Sequence, residues 1–135
     1  MSLLIYAESA DGKFKKVAFE LASYAKNVAD SLGTTVTAVT VNAGNVSELA
    51  NYGVSKVLKV SNDKLNNFNA KAYADVVKQA AQKEASKVIV LSSTTDSLYL
   101  APLVAVGLEA GFASNVVGSP LSTSPFQVKR TAFSN

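Results

Sequence analysis

The sequence contains neither cysteine nor histidine. Without cysteine there are no disulfides, no thiolate nucleophile and no Cys/His zinc site. Without histidine a Ser-His-Asp arrangement is excluded, and the residue best suited to proton transfer near neutral pH is missing. Arginine occurs once, at Arg130, so the net charge of +3 rests on twelve lysines spread along the 135 residues. Nucleic-acid-binding surfaces cluster basic residues and use arginine for bidentate contacts. A dispersed lysine excess reads instead as solvated helix faces, and no nucleic-acid partner is expected. No apolar run approaches the roughly 18 residues of a membrane span. The amino terminus, Met1-Ser2-Leu3-Leu4-Ile5-Tyr6-Ala7-Glu8, has no basic segment, and its apolar run stops at Glu8. It does not read as a signal peptide, so the expected compartment is the cytoplasm, with no membrane insertion.

What remains is sufficient for one globular domain spanning residues 1–135. Hydrophobic residues make up 48% of the chain and charged residues 17%, a balance that supports a core under a wettable surface. Leu3 to Ala7 is apolar without alternation, as in a strand buried on both faces. Asp11-Gly12 marks a turn. Phe14, Val17, Ala18, Leu21, Ala25, Val28 and Leu32 recur at helical spacing, with Gly33 placed to end the helix. Val36 to Val41 is a β-branched strand. Val46 to Tyr52 reads as a short helix closed by Gly53, and Lys56 to Val60 as a more polar strand nearer an edge. Asn69 caps a helix through Ala85 with Tyr73, Ala74, Val77, Ala80 and Ala81 inward. Lys87 to Leu91 is a further strand.

Alternating strands and helices imply a doubly wound α/β domain with a mostly parallel sheet and helices on both faces. Ligands in such sheets sit beyond the carboxyl ends of the strands, which directs attention to the segments after Ala7, Val41 and Leu91. Past Leu91 the polar loop Ser92-Ser93-Thr94-Thr95-Asp96-Ser97 leads into an apolar helix. Because proline is tolerated only in a first turn, Pro102 predicts that this helix runs from Leu100 to Ala110, with Gly111 ending it. Glu109 is its one charge. Phe112 to Leu121 and Phe126 to Phe133 read as a strand pair at the carboxyl end, joined in hairpin fashion around Ser122-Thr123-Ser124-Pro125.

The Ser92 to Ser97 loop is the main candidate site. Its hydroxyls, at Thr94, Thr95 and Ser97 among others, precede a helix whose first N–H groups lack partners and could hold a phosphate or carboxylate. The alternative is that Thr95, Asp96 or Ser97 only caps the helix, and Asp96 would repel an anion. No glycine-rich phosphate loop is present. Glu8 lies at the same sheet edge; it contacts a ribose or other polar group, or begins a turn with a lysine partner. Arg130 is either paired by its guanidinium or a solvated strand residue. No second well-placed carboxylate accompanies Glu8, so acid–base chemistry has no visible machinery and the domain is not expected to be an enzyme.

The order of motifs resembles the amino-terminal domain of the electron transfer flavoprotein alpha subunit. The matching pieces are Leu4-Ile5-Tyr6-Ala7-Glu8, Tyr52-Gly53-Val54-Ser55-Lys56-Val57-Leu58, Leu100-Ala101-Pro102, Gly111-Phe112-Ala113-Ser114-Asn115-Val116-Val117 and Arg130-Thr131-Ala132-Phe133-Ser134-Asn135. Departures fall at Ser97-Leu98-Tyr99, where the family often has glycine and charges, at Leu103 for arginine, at Asn115 for aspartate and at Ser134 for glycine. The resemblance implies a fold like that of the adenine nucleotide alpha hydrolases and universal stress proteins. It also implies a heterodimer with a beta subunit, and electron transfer from flavin dehydrogenases such as acyl-CoA dehydrogenases to a quinone oxidoreductase. The FAD would be held mainly by a carboxyl-terminal domain outside these residues, with none expected here. The competing reading, prompted by the Ser92 to Ser97 hydroxyls, is a nucleotide-binding module like the universal stress proteins.

Overall fold

In a computed structural model of the chain, residues 2–92, 94–105, 111–114, 122–123 and 126–127 are described. The organising strand is β1 (Leu3–Tyr6), buried along its whole length. It pairs in parallel with β4 (Val36–Val41) on one side and β6 (Val88–Leu91) on the other. Beyond these lie β5 (Val54–Val60) and β7 (Gly111–Ser114), both parallel, so the order in the five-stranded sheet is β5-β4-β1-β6-β7. The more polar strand β5 stands at an edge, as its lysines suggested.

Alternation along β1 sends its side chains to two separate cores. Leu3 and Ile5 pack with Ala18, Ala22, Ala25 and Val28 of α1 (Lys16–Leu32). Leu4 and Tyr6 pack on the opposite face with Tyr73, Ala74 and Val77 of α2 (Ala70–Glu84) and with Leu100 and Val104 of α3 (Thr95–Ala105). Small residues on the inner face of α1 let it lie close to the sheet. The five inward residues expected on α2 are the five that are buried, and Asn69 caps it by accepting from the Ala72 N–H at 3.0 Å. Gly33 ends α1 at φ 68°, and Gly53 follows the 3₁₀ turn Ser47–Tyr52 at φ 94°. Among the described residues, no helix is long and apolar enough to cross a membrane.

Two details were not legible beforehand. The Asp11-Gly12 turn joins a miniature antiparallel hairpin, β2 (Ser9–Ala10) and β3 (Lys13–Phe14), with both turn residues at positive φ. This is the two-residue geometry that favours Asp-Gly. The second detail is the position of α3. It begins at Thr95, five residues before the expected Leu100, and places Pro102 inside the helix. The bond that proline forfeits would have run to the Leu98 carbonyl, on a side of the helix where both Leu98 and Pro102 are exposed. Water can serve a carbonyl there, which lowers the cost of an interior proline. The expected continuation to Ala110 falls on residues outside those described, and Gly111 opens β7 rather than merely ending a helix. At the carboxyl end, β8 (Ser122–Thr123) and β9 (Phe126–Gln127) pair antiparallel across residues 124 and 125. A hairpin is present here, but its first strand is Ser122–Thr123, expected as part of the connection, and the described part of the expected Phe112 strand, β7, pairs in parallel with β6 instead. The remaining stretches of the two longer strands expected there, Phe112 to Leu121 and Phe126 to Phe133, lie outside the described residues.

At the opposite end of the sheet a polar cluster ties α2 to the strands. Glu84 Oε2 accepts from Lys56 Nζ at 2.7 Å, and Ser2 Oγ and Thr37 Oγ1 both reach Oε1 at 3.2 Å. The Lys56 hydrogen bond holds the Glu84 carboxyl below the ordinary value of 4.5, with burial opposing and the Lys56 charge and the two hydroxyls assisting. A depressed carboxyl contributes stability that is present above its unfolded value and is lost as pH falls through the folded one. Glu84→Gln should therefore flatten the acid limb of a stability–pH profile below about pH 4.5, read by urea unfolding at successive pH values; an unchanged acid limb would show that the cluster contributes nothing. Ala85, exposed at the end of α2, holds φ 51°. Ala85→Gly should raise stability by about 0.5–1 kcal/mol, since a left-handed non-glycine residue costs about 1–2 kcal/mol and the freer unfolded glycine returns part of that.

Candidate functional site

Strand order reverses at β1. The chain builds β4 and β5 to one side of it, then crosses to β6 and β7 on the other. The crevice between the carboxyl ends of β1 and β6 is thus the switch point at which doubly wound sheets place ligands. Glu8, two residues beyond β1, and Ser92, directly after β6, meet there.

Glu8 is 2% exposed. Its Oε2 accepts from Ser92 Oγ at 2.5 Å and from Thr94 Oγ1 at 2.6 Å, with Ser97 Oγ at 3.2 Å. Ser97 Oγ is also 3.2 Å from Ser92 Oγ, so its proton can serve either oxygen. Lys15 Nζ stands 3.4 Å from Oε1, and the Lys15 N–H donates to the Glu8 carbonyl at 3.1 Å. The hairpin β2–β3 makes this second contact possible by returning the chain to β1 before α1 begins. Three hydroxyls and an ammonium supply the donors that a buried carboxylate needs.

The same hydroxyls organise α3. Thr94 is its cap: Oγ1 accepts from the Ser97 N–H at 3.2 Å while its own proton goes to Glu8. Thr95, Asp96 and Ser97, expected as alternatives for that role, instead form the first helical turn. Of the expected site residues, Thr94 and Ser97 converge on Glu8, Thr95 is exposed and outside the cluster, and Arg130 lies outside the described residues. The lysine partner of Glu8 is Lys15. The cooperation between Glu8 and the loop was missed because 84 residues separate Glu8 from Ser92. The available signal was topological: both follow strands that adjoin in a doubly wound sheet.

The arrangement favours structure over chemistry. Glu8 Oε2 is taken up by three hydroxyls and Oε1 faces Lys15, contacts that tie the side chain into the structure. Burial, followed by the charges of Glu8, Tyr73 and Asp96, raises the neighbouring Tyr6 hydroxyl well above the ordinary tyrosine range. Burial and then Asp96 raise Tyr73 as well. Both phenols stay protonated at neutral pH. A diphosphate such as that of FAD does not fit this crevice. It would have to compete with the Glu8 carboxylate for the same three hydroxyls and for the Lys15 ammonium. Among the described residues, no group of three or more His, Cys, Asp or Glu could hold a metal. Beside the crevice, beyond β1 and β4, lies a polar hollow of about 180 Å³ lined by Ser9, Asp11, Asn42, Asn66 and Tyr73. Its wall is held by Asn42, at φ 53°, whose amide donates to the Asn62 carbonyl and to Asn66 Oδ1 at 2.9 Å each.

Outward from the site, α3 exposes an apolar stripe. Leu98 is 53% exposed, Tyr99 64% and Leu103 39%, while Leu100 and Val104 on the other side are buried. Sequence reasoning noted that this helix carries little charge but started it five residues late, which obscured the stripe. Thr94→Val should destabilise the domain by about 2 kcal/mol through loss of the cap and of a hydrogen bond to a carboxylate. Thr94→Ser should retain most of the stability. Chemical denaturation of the two variants measures both; equal losses would show that the hydroxyl is not what matters.

Comparison with known proteins agrees with this geometry. The electron transfer flavoprotein domain family matches residues 3–135. The electron transfer flavoprotein subunit alpha of Thermoanaerobacterium thermosaccharolyticum is 32% identical over 117 residues, covering 84% of this chain and 36% of that protein. Protein FixB of Clostridium saccharobutylicum is 29% identical, covering 82% of this chain and 34% of its own length. The lactate dehydrogenase (NAD(+),ferredoxin) subunit LctC of Acetobacterium woodii is 28% identical, covering 84% and 28%. The chain spans about a third of the length of the first curated relatives it matches. With a doubly wound sheet and a family match that runs through nearly every residue, the chain belongs to the electron transfer flavoprotein family and is similar to its alpha subunits.

Proposed function

We propose that residues 1–135 form the amino-terminal scaffold domain of an electron transfer flavoprotein alpha-type subunit, and that a beta subunit docks on the outer face of α3. In this reading the parent protein carries electrons from flavin dehydrogenases, such as acyl-CoA dehydrogenases, to a quinone oxidoreductase in the cytoplasm. FAD is bound mainly by a carboxyl-terminal domain of the parent, and this domain supplies no catalytic residue.

The observation that carries the proposal is the exposed stripe of Leu98, Tyr99 and Leu103. A helix in a domain of this kind ordinarily turns charged residues outward. Here the described outer positions of α3 are largely apolar, and its first turn is clamped to the sheet by Thr94 and Ser97. Aromatic and aliphatic side chains held on a rigid support are the usual anchors of protein interfaces. The universal stress protein-like alternative calls for a phosphate at the switch-point crevice, where Glu8 already sits.

The test uses the whole parent subunit co-expressed with its beta subunit. The double variant Leu98→Ser/Tyr99→Ser should weaken pairing by tenfold or more, as loss of about 1–2 kcal/mol at each anchor implies, while circular dichroism shows the same folded signal. Undiminished pairing would remove α3 as the interface. A wild-type parent that neither copurifies with a beta subunit nor carries flavin would remove the function itself.

A further inference from the structure

Glu8 occupies the place where a doubly wound domain would hold a ligand's anion, and its contacts have the form of an anion site. Hydroxyls from Ser92, Thr94 and Ser97 converge on one oxygen. A lysine stands on the other. The amino-terminal turn of α3 faces the group, and the partial positive charge of that turn favours a negative partner. We propose that Glu8 is a built-in counterpart of a bound phosphate: a specificity-determining carboxylate that completes an internal anion site and makes this domain refuse nucleotides and other phosphorylated ligands.

Three observations support a tethered anion over an incidental buried acid. The side chain comes from the two-residue link between β1 and the β2–β3 hairpin, so the sheet itself delivers it to the crevice. All three hydroxyls belong to the one segment that runs from the end of β6 into the first turn of α3. Thr94 donates to Glu8 and accepts from the Ser97 N–H, so the carboxylate and the helix start are one hydrogen-bonded unit. A free anion would need to supply the same acceptor to the same donors. With Glu8 present, those donors are engaged and the Lys15 ammonium is already paired.

The experiment needs neither a beta subunit nor flavin, so its outcome is separate from that of the proposed function. Glu8→Ala removes the carboxylate and leaves its donors. The 135-residue variant should have a lower melting temperature than wild type, and sodium formate should restore at least half of the loss where sodium chloride at equal ionic strength does not. Calorimetry with inorganic phosphate, and separately with AMP, should show no binding to wild type, whereas phosphate should bind the variant at millimolar concentration. Glu8→Gln keeps the shape without the charge; it should be destabilised and insensitive to formate. If Glu8→Ala folds only in formate, that refolding is the rescue. If it folds in neither salt, Glu8→Gln decides, a melting temperature equal to wild type overturning the proposal. Equal rescue by chloride, a Glu8→Ala variant as stable as wild type, or wild type binding phosphate as tightly as the variant would each overturn it too.

Discussion

One carboxylate taken out of water constrains the carboxyl end of the sheet, where β1, β6 and α3 meet. An isolated buried carboxylate is costly enough that the surrounding chain must supply donors. At Glu8 they come from three separate places: the hairpin and start of α1 through Lys15, the end of β6 through Ser92, and the start of α3 through Thr94 and Ser97. Removing the carboxylate would take the shared acceptor from three hydroxyls at once, and removing any one hydroxyl would cost Glu8 a donor. The cluster fixes where α3 begins, and so fixes which side of that helix faces outward.

The two ends of the sheet solve related problems differently. Glu84 sits at the edge of the opposite rim, where Lys56 from the edge strand and the Ser2 and Thr37 hydroxyls share its oxygens. That group is held in its charged form by the ammonium beside it, so its contribution depends on pH. Between the two rims the buried side chains of β1, β4, β5 and β6 are apolar apart from threonines of β4, while the lysines of β5 are exposed at the sheet edge. Polar ties at the rims and two apolar cores between them fix the layer order of the domain. Helix α1 covers one face, while α2 and α3 cover the other.

The fold was largely legible because its elements carry local signals. The all-apolar run at Leu3, the period of α1, the β-branched run at Val36 and the cap at Asn69 each named an element that the structure contains. The interior proline was different. A rule about main-chain hydrogen bonds placed the start of α3 at Leu100, and with Leu98 and Pro102 both on the exposed side of the helix that rule is weaker than the cap at Thr94. Local pattern identifies a cap only when its N–H partner is known, and Ser92 to Ser97 offers several hydroxyls in a row. For the site, the sequence yielded the members without the partnership. Ser92, Thr94 and Ser97 stood out as a hydroxyl loop and Glu8 as a carboxylate at a strand end, but their contact is set by the adjacency of β1 and β6. No motif spacing encodes that adjacency.

The same partnership bears on the scaffold role proposed for this domain. A doubly wound sheet has one crevice well suited to an anion, and a domain that fills it with its own side chain gives up that binding site in exchange for a rigid first turn of α3. Rigidity there matters if the outer face of α3 is a docking surface, because Leu98 and Tyr99 lie within the first turns beyond the clamp and inherit its position. A ligand-dependent clamp would couple docking to nucleotide concentration, since any group that orders the folded form shifts the equilibrium with its own concentration. A tethered carboxylate removes that dependence. On the proposed reading the domain is a scaffold because its switch point is already occupied, and the cofactor chemistry of the parent protein must then be housed elsewhere.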